Sequence, residues 1–411
     1  MKFHLQQSLY NIINVLFSIF IFIIMLDPTN TIFRSKEICF FLLIMLYFFV
    51  KHKYNYNKID RRTTTVLIIL FFINTFSLVF GEFMNFKFDY SITLDSFKTF
   101  VFFAVLYFVR DVKIESLVDK IIIPSVLVSL ITISIFSFLF LLPISAIEII
   151  PYDLTFNHTM MIGGKEILGI NINQVFYKTS PILVLTFSIV FSRALNVLDK
   201  RKKNLLFSLL IFVAIIMSGT RANLFSALLI LIALSLFKMS KSNMGRVAVY
   251  PLLLVFIIFS FIMTTKLLKQ KDDYSIEVKS GHIESMKLLV KEHPLILIFG
   301  QGPGSFYYSS GIKKEITLSE LSYLEIIRNY GIISGSFIII LFLFPFYIIR
   351  KNRIKNSFPF IIGYIAYLFI GGTNPLLLSS TGILVLAVAY SYAYNQNLVK
   401  SEKNSNIISS L

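Results

Sequence analysis

Arg221 is the residue whose type and surroundings most invite chemistry. It lies in SGTRANLF, between two strongly apolar stretches, just after a glycine that breaks the helix. A guanidinium fixed at such a turn can grip a phosphate through two parallel hydrogen bonds. It can equally be an interfacial arginine reaching for lipid headgroups. Its sign favours the first role, because arginines are disfavoured in short turns on the outer side of a membrane. Acid–base candidates gather later in the chain: His282, Glu284, Glu292, His293, Glu315, Glu320, Glu325 and the pair Asp272 and Asp273. Glu320 stands out because it immediately precedes the apolar run LSYLEII, where nearby lipid would raise its pKa toward a useful range for a general base. As a plain helix-start carboxylate it would instead complement the macrodipole.

Between these residues runs GQGPGSF, residues 300–306, with Gly300, Gly302, Gly304 and Ser305. Three glycines let a backbone approach a sugar or a pyrophosphate closely. The Lys-Ser/Thr that completes a nucleotide P-loop is missing, so ATP binding is not expected, and a tight turn between two helices is the plainer alternative. Adjacent aspartates point apart and have no third ligand at metal spacing. No zinc, haem or redox motif is present, and no metal or cofactor is expected.

All these groups except Arg221 and Glu325 fall in one polar island, residues 266–322, of a chain that is otherwise nearly continuous apolar runs. With 56% apolar and 15% charged residues and a mean hydropathy of +0.77, the composition lies far from soluble domains, which are about 45–50% apolar and about 25% charged. The fold class expected is all-α, a polytopic integral membrane protein. At about 20 residues per crossing, about twelve spans fit, near 8–26, 37–50, 63–80, 96–109, 121–143, 174–192, 205–219, 222–237, 247–265, 323–349, 357–372 and 376–394. The first run is too long for a signal-peptide core and reads as a retained span.

The net charge of +17 is spent in basic clusters at alternate gaps, around residues 51–62, 110–120, 193–203, 238–246 and 350–355. That is the positive-inside pattern rather than a nucleic-acid surface, and it puts both termini in the cytoplasm. The island then forms one large outer loop of short amphipathic helices, at residues 283–291 and 319–330, within a single membrane domain. A smaller outer loop, residues 144–173, carries Glu148, Asp153, Asn157, His158, Lys165 and Glu166, with Gly163 and Gly164 placed for a sharp turn. Cys39 has no intrachain partner and reads as a buried apolar residue.

Three motifs occur in a fixed order: SGTR in a tight outer turn, then GHIES followed by HPLILIFGQGPGSF, then ELSYLEIIRNYGIISG. The ordered set resembles the O-antigen polymerase and O-antigen ligase superfamily of bacterial envelope glycosyltransferases. The ligases show a His-Asn pair where this chain has Glu320 and Leu321, and His282 and Met286 stand where an Arg and a Trp are frequent, so the resemblance favours the polymerase branch. It implies a metal-independent enzyme of the bacterial inner membrane that moves a growing glycan from undecaprenyl pyrophosphate onto a new lipid-linked repeat unit. A chain-length regulator and a flippase would be its partners, with no role for nucleic acid. On this reading Arg221, Glu320 and His282 are catalytic. Gly300, Gly302, Gly304, Ser305, Arg328, Lys266, Lys269 and His158 would bind substrate. A ligase acting on a lipid A-core acceptor and a polysaccharide flippase remain the alternatives, although no repeated halves suggest a transporter.

Overall fold

The computed structural model describes residues 2–29, 34–53, 61–111, 117–141, 159–167, 170–196, 199–239 and 274–408. It is mostly helical. In chain order the helices are α1 (Lys2–Leu26), α2 (Ser35–Lys53), α3 (Arg61–Phe83), α4 (Tyr90–Phe102), α5 (Val105–Asp111), α6 (Leu117–Lys120) and α7 (Ile122–Leu141). After a hairpin of β1 (Met160–Ile167) and β2 (Ile170–Tyr177) come α8 (Ser180–Asn196), α9 (Arg201–Met217) and α10 (Arg221–Met239). The island follows with α11 (Tyr274–Glu292), α12 (Ile296–Phe299) and a second hairpin, β3 (Tyr307–Ser309) with β4 (Lys314–Ile316). The chain then continues through α13 (Ser322–Lys351), α14 (Phe358–Gly372) and α15 (Ser380–Ile408).

Among the described residues five helical stretches are long and apolar enough to cross a membrane: Arg61–Phe83, Tyr90–Val109, Leu117–Leu139, Arg221–Lys238 and Ser322–Lys351. Shorter apolar helices cover Asn11–Leu26, Ser180–Asn196, Phe358–Gly372 and Ser380–Tyr394. Their outward faces are as apolar as their inward ones. Phe72, Val79 and Phe83 of α3, for instance, are largely exposed, as expected of helices surrounded by lipid. The protein is therefore membrane-embedded. The span expected at residues 247–265 lies outside the described residues.

Two departures from the expected all-α fold are small antiparallel hairpins. Gly163 and Gly164 do not make the sharp turn expected of them; they lie within β1, paired with Gln174 and Asn173 of β2. That hairpin also takes the start of the span expected at 174–192, so α8 begins only at Ser180.

The membrane helices solve their polar problems locally. Pro345 in α13 has no N–H for the carbonyl of Leu341, and the hydroxyl of Tyr390 on α15 donates to that carbonyl instead, at 3.0 Å. Asn74 of α3 is fully buried; its Oδ1 accepts from Ser96 Oγ of α4 (3.1 Å) and from Tyr330 of α13 (3.3 Å). Such bridges hold transmembrane helices that lack a hydrophobic drive to associate.

One kink positions everything that follows. Gly331 breaks α13 with φ 72° and ψ 173°, a conformation essentially confined to glycine. The kink separates the amphipathic turns Ser322–Tyr330, next to the island, from the rest of the helix. A Cβ at Gly331 would stand 2.0 Å from the carbonyl oxygen of Ile298. Gly331→Ala is therefore expected to cost well over the 1–3 kcal/mol of backbone strain alone, measured as a loss of folded, monodisperse protein in detergent.

Candidate functional site

The island is fastened to the bundle by one buried arginine. Arg328, 2% exposed, sits on α13 one turn before the kink. Its Nε donates to Glu325 Oε2 (3.1 Å), while Nη2 donates to Glu325 Oε1 (2.6 Å) and the Thr317 carbonyl (2.7 Å). Nη1 reaches Gln301 Oε1 (2.7 Å) and both the carbonyl (3.1 Å) and Oγ (2.9 Å) of Ser305. The guanidinium plane lies over the Tyr307 ring, 4.6 Å from its centre. Glu325 is completed by Asn329 Nδ2 (2.9 Å) and the Ser319 amide (3.1 Å). Every hydrogen-bonding direction of the guanidinium is used inside the protein. Arg328, expected to bind substrate, is instead the clamp of the glycine loop.

The glycine loop is likewise packed rather than open. The amides of Gln301 and Gly302 donate to the carbonyls of Arg328 (2.7 Å) and Asn329 (3.0 Å), and Gly300 caps α12 through the Ile296 carbonyl (2.8 Å). On the other side Gly304 accepts from the Asp89 amide (2.9 Å), and Thr93 Oγ1 donates to Pro303 (2.9 Å). A Cβ at Gly304, whose φ is +84°, would come within 2.5 Å of Thr93 Oγ1. Ser305 is fully buried. These residues thus seat the loop between α4 and the kinked α13; only Pro303 and Gly304 reach a cavity.

That cavity, about 630 Å³, opens at one end of the bundle. Its wall draws on Pro28 and Thr29 after α1, on Arg34, Lys36 and Glu37 at the start of α2, on α4, on Lys178 ahead of α8, on the island, on the first turns of α13 and on residues 375–381 leading into α15. Four cations line it (Arg34, Lys36, Lys98 and Lys178), with three carboxylates (Glu37, Asp95 and Glu325) and hydroxyls including Ser96, Thr99, Ser322, Ser379, Ser380 and Thr381. Lys98 is 2.9 Å from Asp95 and 4.0 Å from Glu37, an exposed arrangement of the kind worth about 0–1 kcal/mol. Glu325 is already held by Arg328. Arg34, Lys36 and Lys178 complete the cationic part of the lining.

Lys36 stands in the first turn of α2, ahead of the apolar stretch that starts at Ile38. Its ammonium donates to the Pro28 carbonyl (3.0 Å) and to Ser380 Oγ (3.2 Å), and lies 5.9 Å from the centre of the Phe102 ring. Burial, and then the neighbouring Lys178 charge, hold its pKa down at about 8, against the pull of Asp27, Glu37 and Asp95. Burial lowers Lys178 as well. Two amines pressed toward neutrality in one cavity are stabilised as cations by an incoming anion. A phosphate or diphosphate fits this donor set.

The catalytic candidates fall elsewhere. His282, 1% exposed, faces the island's own interior, its Nδ1 3.1 Å from the Tyr307 hydroxyl and 3.2 Å from Ser309 Oγ. Desolvation lowers its pKa, and it does not line the cavity. Glu320 is exposed to water, so the apolar surroundings expected of it are missing; the buried carboxylate of this segment is Glu325, five residues further on. Arg221 opens α10 after Gly219, which packs against Gln174 of β2, and it too lies outside the cavity lining. His158, Lys266 and Lys269 lie outside the described residues.

Arg34, Lys36, Lys178 and Asp95 were the residues missed. The signal that singled out Arg221, a cation expected on the outer side against the orientation rule, applies equally to Arg34 and Lys36, whereas Lys178 fell inside the span expected at 174–192. A scan against protein-family models and searches of curated proteins and of solved structures gave no match to this chain. Among the described residues no group of three or more His, Cys, Asp and Glu could hold a metal ion.

Proposed function

We infer that the protein is a repeat-unit polymerase of a bacterial surface polysaccharide, acting at the outer face of the cytoplasmic membrane with both termini inside. The observation that carries this reading is the cavity at one end of the helical bundle, where cations, carboxylates and hydroxyls converge beside the glycine loop. A glycan on a polyprenyl pyrophosphate needs no nucleotide: the anomeric C–O bond to pyrophosphate breaks and a bond to the acceptor sugar hydroxyl forms. The lipid pyrophosphate leaves with added negative charge, which Arg34, Lys36 and Lys178 stabilise in a partly desolvated site. The acceptor proton passes to a carboxylate. Both oxygens of Glu325 are engaged by Arg328, Asn329 and the Ser319 amide, which leaves Glu37 and Asp95 of the lining as the candidate bases.

The expected result is read from the surface-glycan ladder of a strain lacking the gene, beside its complemented parent. Core bearing one repeat unit and nothing longer is the polymerase outcome. Loss of even that unit, with lipid-linked glycan accumulating outside, replaces the reading with a ligase. Accumulation of single units inside replaces it with a flippase.

A further inference from the structure

The turn HPLILIF, at the corner between α11 and α12, is the most apolar part of the island, and its side chains split cleanly. Ile296 is fully buried, while Leu295, Leu297 and Ile298 are 48%, 39% and 40% exposed. In a loop standing in water this would be an unexplained apolar patch. Its neighbours give it a different setting. The Phe299 ring packs on Phe80 (5.0 Å between centres) and Phe76 (5.9 Å) of α3, a helix that is long and apolar enough to span. Phe76 lies seven residues before the end of α3 at Phe83, about 10 Å along a helix axis, so α12 sits well inside the end of that helix. On its other side the Ile298 carbonyl meets Gly331, and the next two residues of α13, Ile332 and Ile333, are outward-facing and 47% and 67% exposed. The patch thus joins the outward apolar faces of two membrane helices.

The backbone of the turn is suited to the same environment. Irregular chain is excluded from hydrocarbon because its polar groups go unpaired. Here Pro294 has no N–H, and the amides of Ile296, Leu297, Ile298 and Phe299 donate to the carbonyls of His293, Pro294, Leu295 and Leu295 at 3.0–3.1 Å. One turn and two turns back along α11, Lys291 and Lys287 are exposed, with stems long enough to carry their charges to the headgroups.

We propose that this corner of the island is seated in the outer edge of the bilayer, with Leu295, Leu297 and Ile298 against lipid acyl chains and Lys287 and Lys291 at headgroup level. The island is then a partly embedded wedge between α3 and α13.

The chain contains no tryptophan, so a single one reports its own surroundings. Leu297→Trp and, as a second position, Leu295→Trp are reconstituted in phosphatidylcholine vesicles, with Tyr308→Trp on β3, 60% exposed, as the aqueous reference. Emission from both leucine positions is expected to be blue-shifted from the reference. It should lose most of its intensity in vesicles of dibrominated lipid and resist acrylamide. If acrylamide quenches them as strongly as Tyr308→Trp, or brominated lipid leaves their intensity unchanged, the corner stands in water and the proposal is overturned.

Discussion

Replacing Arg328 with methionine is expected to destabilise the protein by about 3–5 kcal/mol, the range for removing one partner of a buried ion pair. The loss comes less from the attraction removed than from what stays behind. Glu325, 7% exposed, would be left buried without its cation, and the carbonyls of Thr317 and Ser305 and the side-chain oxygen of Gln301 would lose their donor together. Arg328→Lys should recover little, because three tetrahedral donors cannot reproduce a planar fork that serves Glu325, Gln301, Ser305 and Thr317 at once. Adding Glu325→Gln to Arg328→Met should restore part of the stability by neutralising the stranded carboxylate. Denaturant or thermal unfolding in detergent measures all three against the wild type. A wild-type midpoint for Arg328→Met would refute the clamp.

The second large effect is expected at the lysines of the cavity. Lys36→Met or Lys178→Met should each remove chains longer than one repeat unit while the protein stays in the membrane, since losing one preorganised donor at a developing charge costs about 10²–10³ in rate. Lys203→Met, an exposed lysine of α9, is the control and should leave the ladder intact. The pH dependence has two opposite arms. With its pKa held at about 8, Lys36 is increasingly neutral above that pH, so elongation in isolated membranes should fall as pH rises through about 8. Folding runs the other way. The unfolded chain titrates this lysine near the ordinary 10.5 and binds more protons than the native state between the two values, so the group's contribution to stability rises with pH across that window. Ladders of normal length in both methionine variants would take the pyrophosphate away from this cavity.

The spans α3, α7, α10 and α13 were legible because a run of about 20 apolar residues has few other uses. The apolar spacing of Ile283, Met286, Leu289 and Val290 and of Leu321, Leu324 and Ile327 marks two helical pieces in the island but not which face is covered: Ile283 is 44% exposed, while Glu325 and Arg328 are buried. The hairpin of β1 and β2 was not: Gly163 and Gly164 carry a strong local turn signal, and only pairing with Asn173 and Gln174, a tertiary fact, makes them strand. The clamp escaped for a related reason. Arg328 in EIIRNYG looks like any helical cation, and nothing in its own segment says that Gln301, Ser305 and Thr317 will close around it. The cavity escaped because its lysines are 142 positions apart (178 − 36), and neither sits in a motif. Glu320 was favoured over Glu325 on its place beside an apolar run, yet burial is decided by what packs above the helix, which its periodicity does not reveal.

The hydrogen bond from Lys36 to Ser380 joins residues separated by 344 positions. During synthesis at the ribosome Lys36 reaches the membrane long before Ser380 exists, so the wall of the cavity stays open until α15 has been inserted. A nascent chain stalled before that point holds the early lysines in place but lacks a finished anion seat. On the proposed reading, competence therefore arrives late in biogenesis, and a half-made polypeptide lacks the finished seat for a lipid-linked pyrophosphate.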